Sequence, residues 1–143
     1  MSEIFKIVLT AVTGVLVFVV GQLVAKFFID PIYEQAKAIG GVAYSLIFYA
    51  NVYANPGQAP TEVADKASEI LRQHASELMA KTHAVPWYSL WEFIQIIPQQ
   101  GNVKQASNEL IGLSNSLYQE RDHEFNRLRR TKIIKLLRLK IDG

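Results

Sequence analysis

The chain has 143 residues, a formal net charge of +2 and an apolar fraction of 50%. It contains no cysteine, which excludes a disulfide framework, a thiol nucleophile and a thiolate metal site. Once an apolar N-terminal stretch is set aside, the remainder is long enough for one domain with a modest core and too short for two.

The N-terminal stretch, residues 7–25, carries no charged side chain and lies between Lys6 and Lys26. As an α-helix it would be about 28 Å long, which is close to the ~30 Å hydrocarbon thickness of a bilayer. A cleavable signal peptide is the main alternative, but the small-x-small triplet that it needs lies beyond the first charged residues after the stretch. We therefore expect one uncleaved membrane span, with residues 1–29 as the anchor and its interface.

The predicted span has two unlike faces. Small and hydroxyl-bearing residues fall on one half of its surface, whereas Val and Leu occupy most of the other half. Spans associate through small residues that allow close backbone approach, so we expect the first face to pack against another copy of the chain. The same face would also suit the lining of a pore in a higher oligomer. The packing or pore-lining residues are Thr10, Thr13, Gly14, Gly21 and Gln22.

The dipeptide Asp30-Pro31 predicts that the helix breaks and restarts, because Asp is a favourable N-cap and proline suits the first helical turn. A kinked continuous helix would have the same sequence. The uncharged stretch at 38–54 then predicts a buried helix, either the centre of a soluble bundle or the second arm of a membrane hairpin. Its three tyrosines favour the soluble bundle.

A turn-rich loop leads to Thr61, a candidate N-cap. The clearest amphipathic pattern follows at 62–81, with apolar residues on one face and oppositely charged residues at ion-pair spacings elsewhere. This pattern is typical of a helix that packs by one face and is solvated on the other. The predicted core face consists of Val63, Ala67, Ile70, Leu71, His74 and Leu78.

Two prolines bound a short predicted helix at 87–97. Its broad apolar face contains both tryptophans of the chain, Trp87 and Trp91. Tryptophan is enriched where membranes meet water, so this helix could lie flat on the bilayer beside the span. Its polar face has no Lys or Arg, however, which favours an ordinary core helix.

Further helices are predicted at 103–118, capped by Asn102, and at 125–141. The last helix and the connector before it hold eight of the fifteen Lys and Arg residues, so the basic character of the chain is local. Such a segment could bind phosphate on an anionic lipid, a nucleotide or a nucleic acid, although no motif supports the last two. The scattered charges also fit a plain solvated helix. The candidate anion-binding residues are Arg127, Arg129, Arg130, Lys132, Lys135 and Arg138.

The sequence contains no catalytic constellation. His74, His83 and His123 have no metal-ligand spacing to one another, and neither a phosphate-binding loop nor a Gly-x-Ser-x-Gly motif occurs. We therefore expect neither an enzyme nor a bound cofactor.

Two segments, residues 28–56 and 110–118, resemble parts of uncharacterised small single-span bacterial membrane proteins. This resemblance implies a membrane location and no particular activity. The overall arrangement also resembles that of single-span CRISPR-associated membrane effectors, in which a cytosolic helical bundle assembles into rings or pores. No residue motif carries that second likeness, so it implies no site.

These features predict an all-α protein, with an N-terminal transmembrane helix followed by a compact bundle of about five helices at residues 30–143. We expect a single-pass protein of a bacterial inner membrane with its C-terminal domain in the cytoplasm, whose partners are membrane lipid and further copies of itself. The first functional hypothesis is a structural or adaptor subunit of a membrane assembly, with another protein of that complex as a partner. The second is an oligomeric pore or membrane-perturbing effector, for example in phage defence, gated by a ligand or partner at the basic C-terminal helix.

Overall fold

The computed structural model describes residues 2–141, and within them every regular element is helical. The predicted fold class is confirmed, because a long apolar N-terminal helix is followed by a helical bundle. A π-helical segment (Ala25–Ile29), here called the π segment, joins the first two helices, and a 3-10 turn (Glu120–Asp122) precedes the last. The α-helices are α1 (Glu3–Val24), α2 (Asp30–Phe48), α3 (Ala50–Ala54), α4 (Thr61–His83), α5 (Tyr88–Phe93), α6 (Gln100–Asn115) and α7 (His123–Leu136).

The first two helices and the π segment form one continuous helix of 46 residues, Glu3–Phe48. Pro31 has no N–H to donate, so the usual hydrogen bonds to the carbonyl four residues back cannot run through it undisturbed. The π segment accommodates this conflict, since the N–H of Asp30 donates to the carbonyl of Ala25, five residues back. The predicted break is therefore wrong, and Asp30 is a helical residue and not an N-cap. Because α2 continues along α1, it is not the second arm of a hairpin.

The core lies between α2, α4, α6 and α7. The central helix is α4, which packs against α2 on one side and α6 on the other, while α6 also packs against α7. Burying a Leu or Ile side chain contributes about 1.5–3 kcal/mol, so this layer supplies most of the apolar stabilisation of the bundle. The fully buried apolar side chains are Val42, Leu46, Ala67, Leu71, Ala75, Leu78, Val103, Ala106, Leu110, Leu113, Leu117 and Ile133.

One buried amide fixes the terminal helix to the rest of the bundle. The side chain of Asn126 is fully buried, and its amide donates to the carbonyls of Tyr53 at 3.0 Å and Ser116 at 2.8 Å. The Ser116 hydroxyl donates in turn to the Asn126 side-chain oxygen. Since buried polar groups are costly unless paired, these bonds hold the start of α7 against α3 and the end of α6.

The amphipathic patterns locate α4 and α6 but misplace some details. Pro60 has an extended backbone and directly precedes α4, which begins at Thr61, while α6 begins at Gln100. Thr61 and Asn102 are therefore helical residues, and their prediction as N-caps is wrong. Val63 is exposed, whereas the neighbouring Ala64 is buried, because close approach of the helices favours the smaller side chain. The last helix ends at Leu136 and not near residue 141, and the chain then turns through Arg138, whose φ is 55°.

Candidate functional site

Helix α1 is exposed along its whole length. None of its residues is buried by the rest of the described chain, and by length and composition it could cross a membrane. A buried core helix can have a similar composition, but α1 contributes nothing to the core of this bundle. Its apolar surface therefore has no cover within residues 2–141.

The predicted packing or pore-lining residues of α1 differ in whether their polar groups already have hydrogen-bond partners and in how closely another helix could approach them. The hydroxyls of Thr10 and Thr13 donate to carbonyls one turn back, at 2.9 and 2.8 Å, so both are paired within their own helix. Gly14 and Gly21 leave open space where a side chain would lie, which permits close backbone approach by another helix. Gln22 is exposed among apolar neighbours, where lipid would offer its amide no partner.

A second uncovered surface, here called the α2 outer stripe, lies on the side of α2 that faces away from the core. The prediction of a helix buried on all sides at 38–54 is wrong for this surface, because α2 packs against α4 through the opposite face. The stripe was missed because a stretch that is apolar on nearly all sides was expected to be buried, although five of its residues, from Tyr33 to Ile47, follow one another at alternating intervals of four and three, which is itself a packing signal. The stripe consists of the exposed residues Tyr33, Lys37, Gly40, Tyr44, Ile47 and Phe48.

Local contacts organise the stripe into an aromatic surface with little net charge. The rings of Tyr44 and Phe48 stack with their centroids 5.4 Å apart. The Lys37 ammonium lies 5.8 Å from the centre of the Tyr33 ring and 3.1 Å from a carboxylate oxygen of Glu34. Hydrogen bonds from the ammonium groups of Lys37 and Lys81 lower the pKa of Glu34, so this carboxylate stays ionised at neutral pH.

A third uncovered surface surrounds α5. The interpretation of 87–97 as a core helix is wrong, because α5 has only six residues and none of them is buried. Val85 and Ile97 are buried on either side and fix the loop, which leaves the helix between them on the surface. The resulting α5 patch consists of the exposed residues Trp87, Leu90, Phe93, Ile94 and Ile96.

Specific contacts hold α5 against the junction of α1 and α2. The ring of Phe28, in the π segment, lies 5.0 Å from that of Trp87 and 6.1 Å from that of Trp91, measured between centroids. The buried Gln35 amide donates to the Tyr88 hydroxyl at 2.9 Å, and burial raises the pKa of that phenol. The α5 patch is thus fixed beside the end of the apolar helix from which the bundle begins.

The structure separates the predicted anion-binding residues instead of assembling them. Arg129 and Lys132 contact Glu109 on α6, at 2.8 and 2.6 Å, and Arg127 contacts Glu124 one turn back, at 2.6 Å. Partial burial acts to raise the pKa of Glu109, but the hydrogen bond and charge of Lys132, together with Arg129, outweigh it and lower that pKa. These three cations are therefore committed to carboxylates of the bundle.

A cleft with a volume of about 270 Å³ lies between α3 and α7, at the end of the bundle farthest from α1. Arg130 reaches it and donates its Nε–H to the Tyr53 hydroxyl at 3.1 Å, and burial raises the pKa of that phenol. His123 and Arg127 line the same cleft. This juxtaposition joins Tyr53 and His123 to the predicted arginines, which no local sequence spacing indicates.

The remaining predicted cations lie at the other end of α7. Lys135 and Arg138 are exposed, and Arg138 lines a depression together with Ser89, Glu92 and Phe93 of α5. The chain therefore brings positive charge from its C-terminal segment to the α5 patch, which has none of its own.

Comparisons with protein-family models, with curated proteins and with solved structures find no match to this chain.

Proposed function

We propose that this protein is a membrane-anchored, self-associating subunit that forms a structural part of a membrane assembly. The observation that carries the proposal is the exposure of the α2 outer stripe on the same continuous helix as the uncovered α1. An apolar helix alone would be explained by lipid. An aromatic stripe beyond the bilayer needs a protein partner.

The distance from the membrane determines which part of the long helix lipid can cover and which part needs a protein partner. Phe48 lies 19 residues beyond Ile29, the end of the π segment, which corresponds to about 28 Å of helix. The headgroup layer on each side of a bilayer is only ~5–8 Å thick. A helix tilted by up to about 40° would still hold Phe48 well outside that layer. Lipid therefore does not cover the far half of the α2 outer stripe.

A second copy of the chain would cover both halves of the long helix with one interface. Copies inserted in the same direction place their helices parallel, so like positions meet about a two-fold axis. From Tyr33 to Ile47 the residues of the α2 outer stripe follow one another at alternating intervals of four and three, the pattern of a left-handed helix pair, and Phe48 lies directly beside Ile47. The same spacing recurs in α1 at Thr10, Gly14, Val17 and Gly21.

Positive charge next to the span supports a cytoplasmic position for the bundle in a bacterial inner membrane. Lys26 follows the span directly, and Lys37 lies eleven residues further along the chain. Only Lys6 lies on the other side of the apolar stretch. Short segments rich in Lys and Arg stay in the cytoplasm, so this asymmetry favours an outward N-terminus.

Disulfide crosslinking tests self-association directly, because the chain has no cysteine of its own. Single variants Gly14→Cys and Tyr44→Cys should form covalent dimers when membranes that contain the full-length protein are oxidised. Val19→Cys, on the opposite face of α1, and Phe125→Cys, on α7, are matched controls that should remain monomeric. Equal crosslinking at Gly14 and Val19, or none at Tyr44, would overturn the proposed interface.

A further inference from the structure

We propose that the α5 patch and the C-terminal segment after α7 form a second membrane contact, which binds anionic lipid headgroups beside the span. The inference rests on the crossing of the membrane by α1, which is part of the proposed function. It adds a defined surface of the bundle, a lipid class and an orientation of the domain on the bilayer.

The position of the patch follows from the contacts of the π segment. Phe28 lies at the end of the apolar helix, and its ring touches both Trp87 and Trp91. An element in contact with the last turns of a span lies at the level of the headgroups, where tryptophan is enriched. The Nε1–H of Trp91 donates to the carbonyl of Pro86 at 2.9 Å, so this indole is paired within the chain while its ring stays near the surface.

The patch points its apolar side chains away from the bundle. Phe93 is 83% exposed, the highest value among the large apolar residues of the described chain, and Ile94 and Ile96 are exposed beside it. Trp87 and Gln95 flank α5 with φ values of 53° and 61°, a left-handed conformation that costs such residues about 1–3 kcal/mol and is retained where it serves a function.

The tertiary fold supplies the charge that the sequence of α5 lacks. Arg138 lines the depression next to Phe93, and Lys140 is exposed in the same C-terminal segment. Lys135 is exposed just before it, in the last turn of α7. Glu92 is the acidic group that faces this depression, and it accepts a hydrogen bond from the backbone N–H of Gln100 at 3.1 Å. An element that lies in the interface of an anionic membrane typically carries apolar and aromatic side chains flanked by basic residues.

Lipid is favoured over a second copy as the occupant of this surface. The patch is continuous with the span through Phe28, so a membrane that contains α1 already lies next to it. A protein partner would require a further interface, separate from the α2 outer stripe. The two occupants predict different accessibility of the tryptophans, which makes them separable by experiment.

Tryptophan fluorescence reports on this surface alone, because Trp87 and Trp91 are the two tryptophans of the chain. The full-length protein would be placed in nanodiscs of equal parts phosphatidylcholine and phosphatidylglycerol, with the acyl chains brominated near the headgroup or unbrominated. We expect strong quenching by brominated lipid and protection from acrylamide. In nanodiscs of phosphatidylcholine alone, quenching by brominated lipid should be weaker.

Two pairs of variants test the apolar and the basic parts separately. Phe93→Ser should weaken the quenching by brominated lipid, whereas Phe125→Ser, an exposed phenylalanine at the far end of the bundle, should not. Arg138→Gln should lower the docking equilibrium on anionic nanodiscs about fivefold, the factor that one basic residue near such a surface contributes. Arg121→Gln, an exposed arginine near the start of α7, should leave the equilibrium unchanged.

Tryptophans that are quenched by acrylamide and not by brominated lipid would overturn the inference. Tryptophans protected from both quenchers would indicate a second copy as the occupant and would also overturn it. Crosslinking of Gly14→Cys in the same nanodiscs shows whether the proposed function survives, because that interface does not involve α5.

Discussion

Phe48 is the residue at which self-association can be measured most sharply. It is 62% exposed, stacks on Tyr44 and lies beyond the reach of lipid in the proposed orientation. Replacement of Phe48 by Ser should therefore weaken the dimer while leaving the folded subunit nearly unchanged, because the side chain contributes little to the core of its own bundle.

The size of the effect follows from the area that the dimer would cover. Full burial of a phenylalanine side chain contributes about 1.5–3 kcal/mol. Since 62% of Phe48 is exposed, burying this exposed part in the dimer contributes about 1–2 kcal/mol per chain. Both copies lose this contribution across a two-fold axis, so we expect about 2–4 kcal/mol per dimer, or roughly a 30- to 1,000-fold increase in Kd.

Sedimentation equilibrium of the full-length protein in density-matched detergent measures this Kd. Phe125→Ser is the matched control, because Phe125 is 63% exposed but lies on α7, away from the α2 outer stripe. An increase in Kd for Phe48→Ser that is no larger than that for Phe125→Ser would refute the assignment of the stripe as the interface.

Two further predictions concern the stability of the bundle, measured by urea unfolding of the detergent-solubilised chain with circular dichroism. Asn126→Ala should lower the free energy of unfolding by about 2–4 kcal/mol, because the carbonyls of Tyr53 and Ser116 lose their buried donor; a loss below that of a surface substitution would contradict this role. The lowered pKa of Glu109 means that its contribution is present above the pKa of the unfolded chain and is lost as the pH falls through the folded value. Glu109→Gln should therefore flatten the acid side of the stability profile, and an unchanged slope would contradict the pairing with Arg129 and Lys132.

The sequence predicts the parts of the fold that depend on local periodicity. The apolar run without charge identifies α1, and the repeating apolar positions at 62–81 and 103–118 identify α4 and α6 to within a few residues. Fully buried positions such as Leu71 and Leu110 follow from the same patterns. The all-α class could therefore be predicted before any contact was known.

The sequence does not predict which apolar face lacks a partner within the chain. The stretch at 38–54 is apolar on nearly all sides, and periodicity cannot show that Val42 and Leu46 are buried while Tyr44 and Phe48 are exposed. Burial there depends on the direction from which α4 approaches, which is a tertiary property. Ser107 and Ser114 are polar residues that are nevertheless buried. Their burial likewise depends on how the neighbouring helices pack.

The α5 patch shows a related limit. The absence of Lys and Arg within 87–97 favours a core helix when the segment is considered alone. The fold places Arg138 beside Phe93 from 45 positions along the chain, and it shortens the helix between Val85 and Ile97. No local pattern contains that information, so the electrostatic character of the surface could be assigned only from the folded chain.

The central claim, that α1 crosses the membrane while the bundle stands on one side, is tested most directly by thiol labelling before α1 and on the bundle. Ser2→Cys and Phe125→Cys place single thiols before α1 and on α7, away from the α2 outer stripe, in a chain with no other cysteine. In sealed inside-out vesicles, a membrane-impermeant maleimide should label Phe125→Cys at once and Ser2→Cys only after the vesicles are permeabilised. Immediate labelling of both positions would contradict the account.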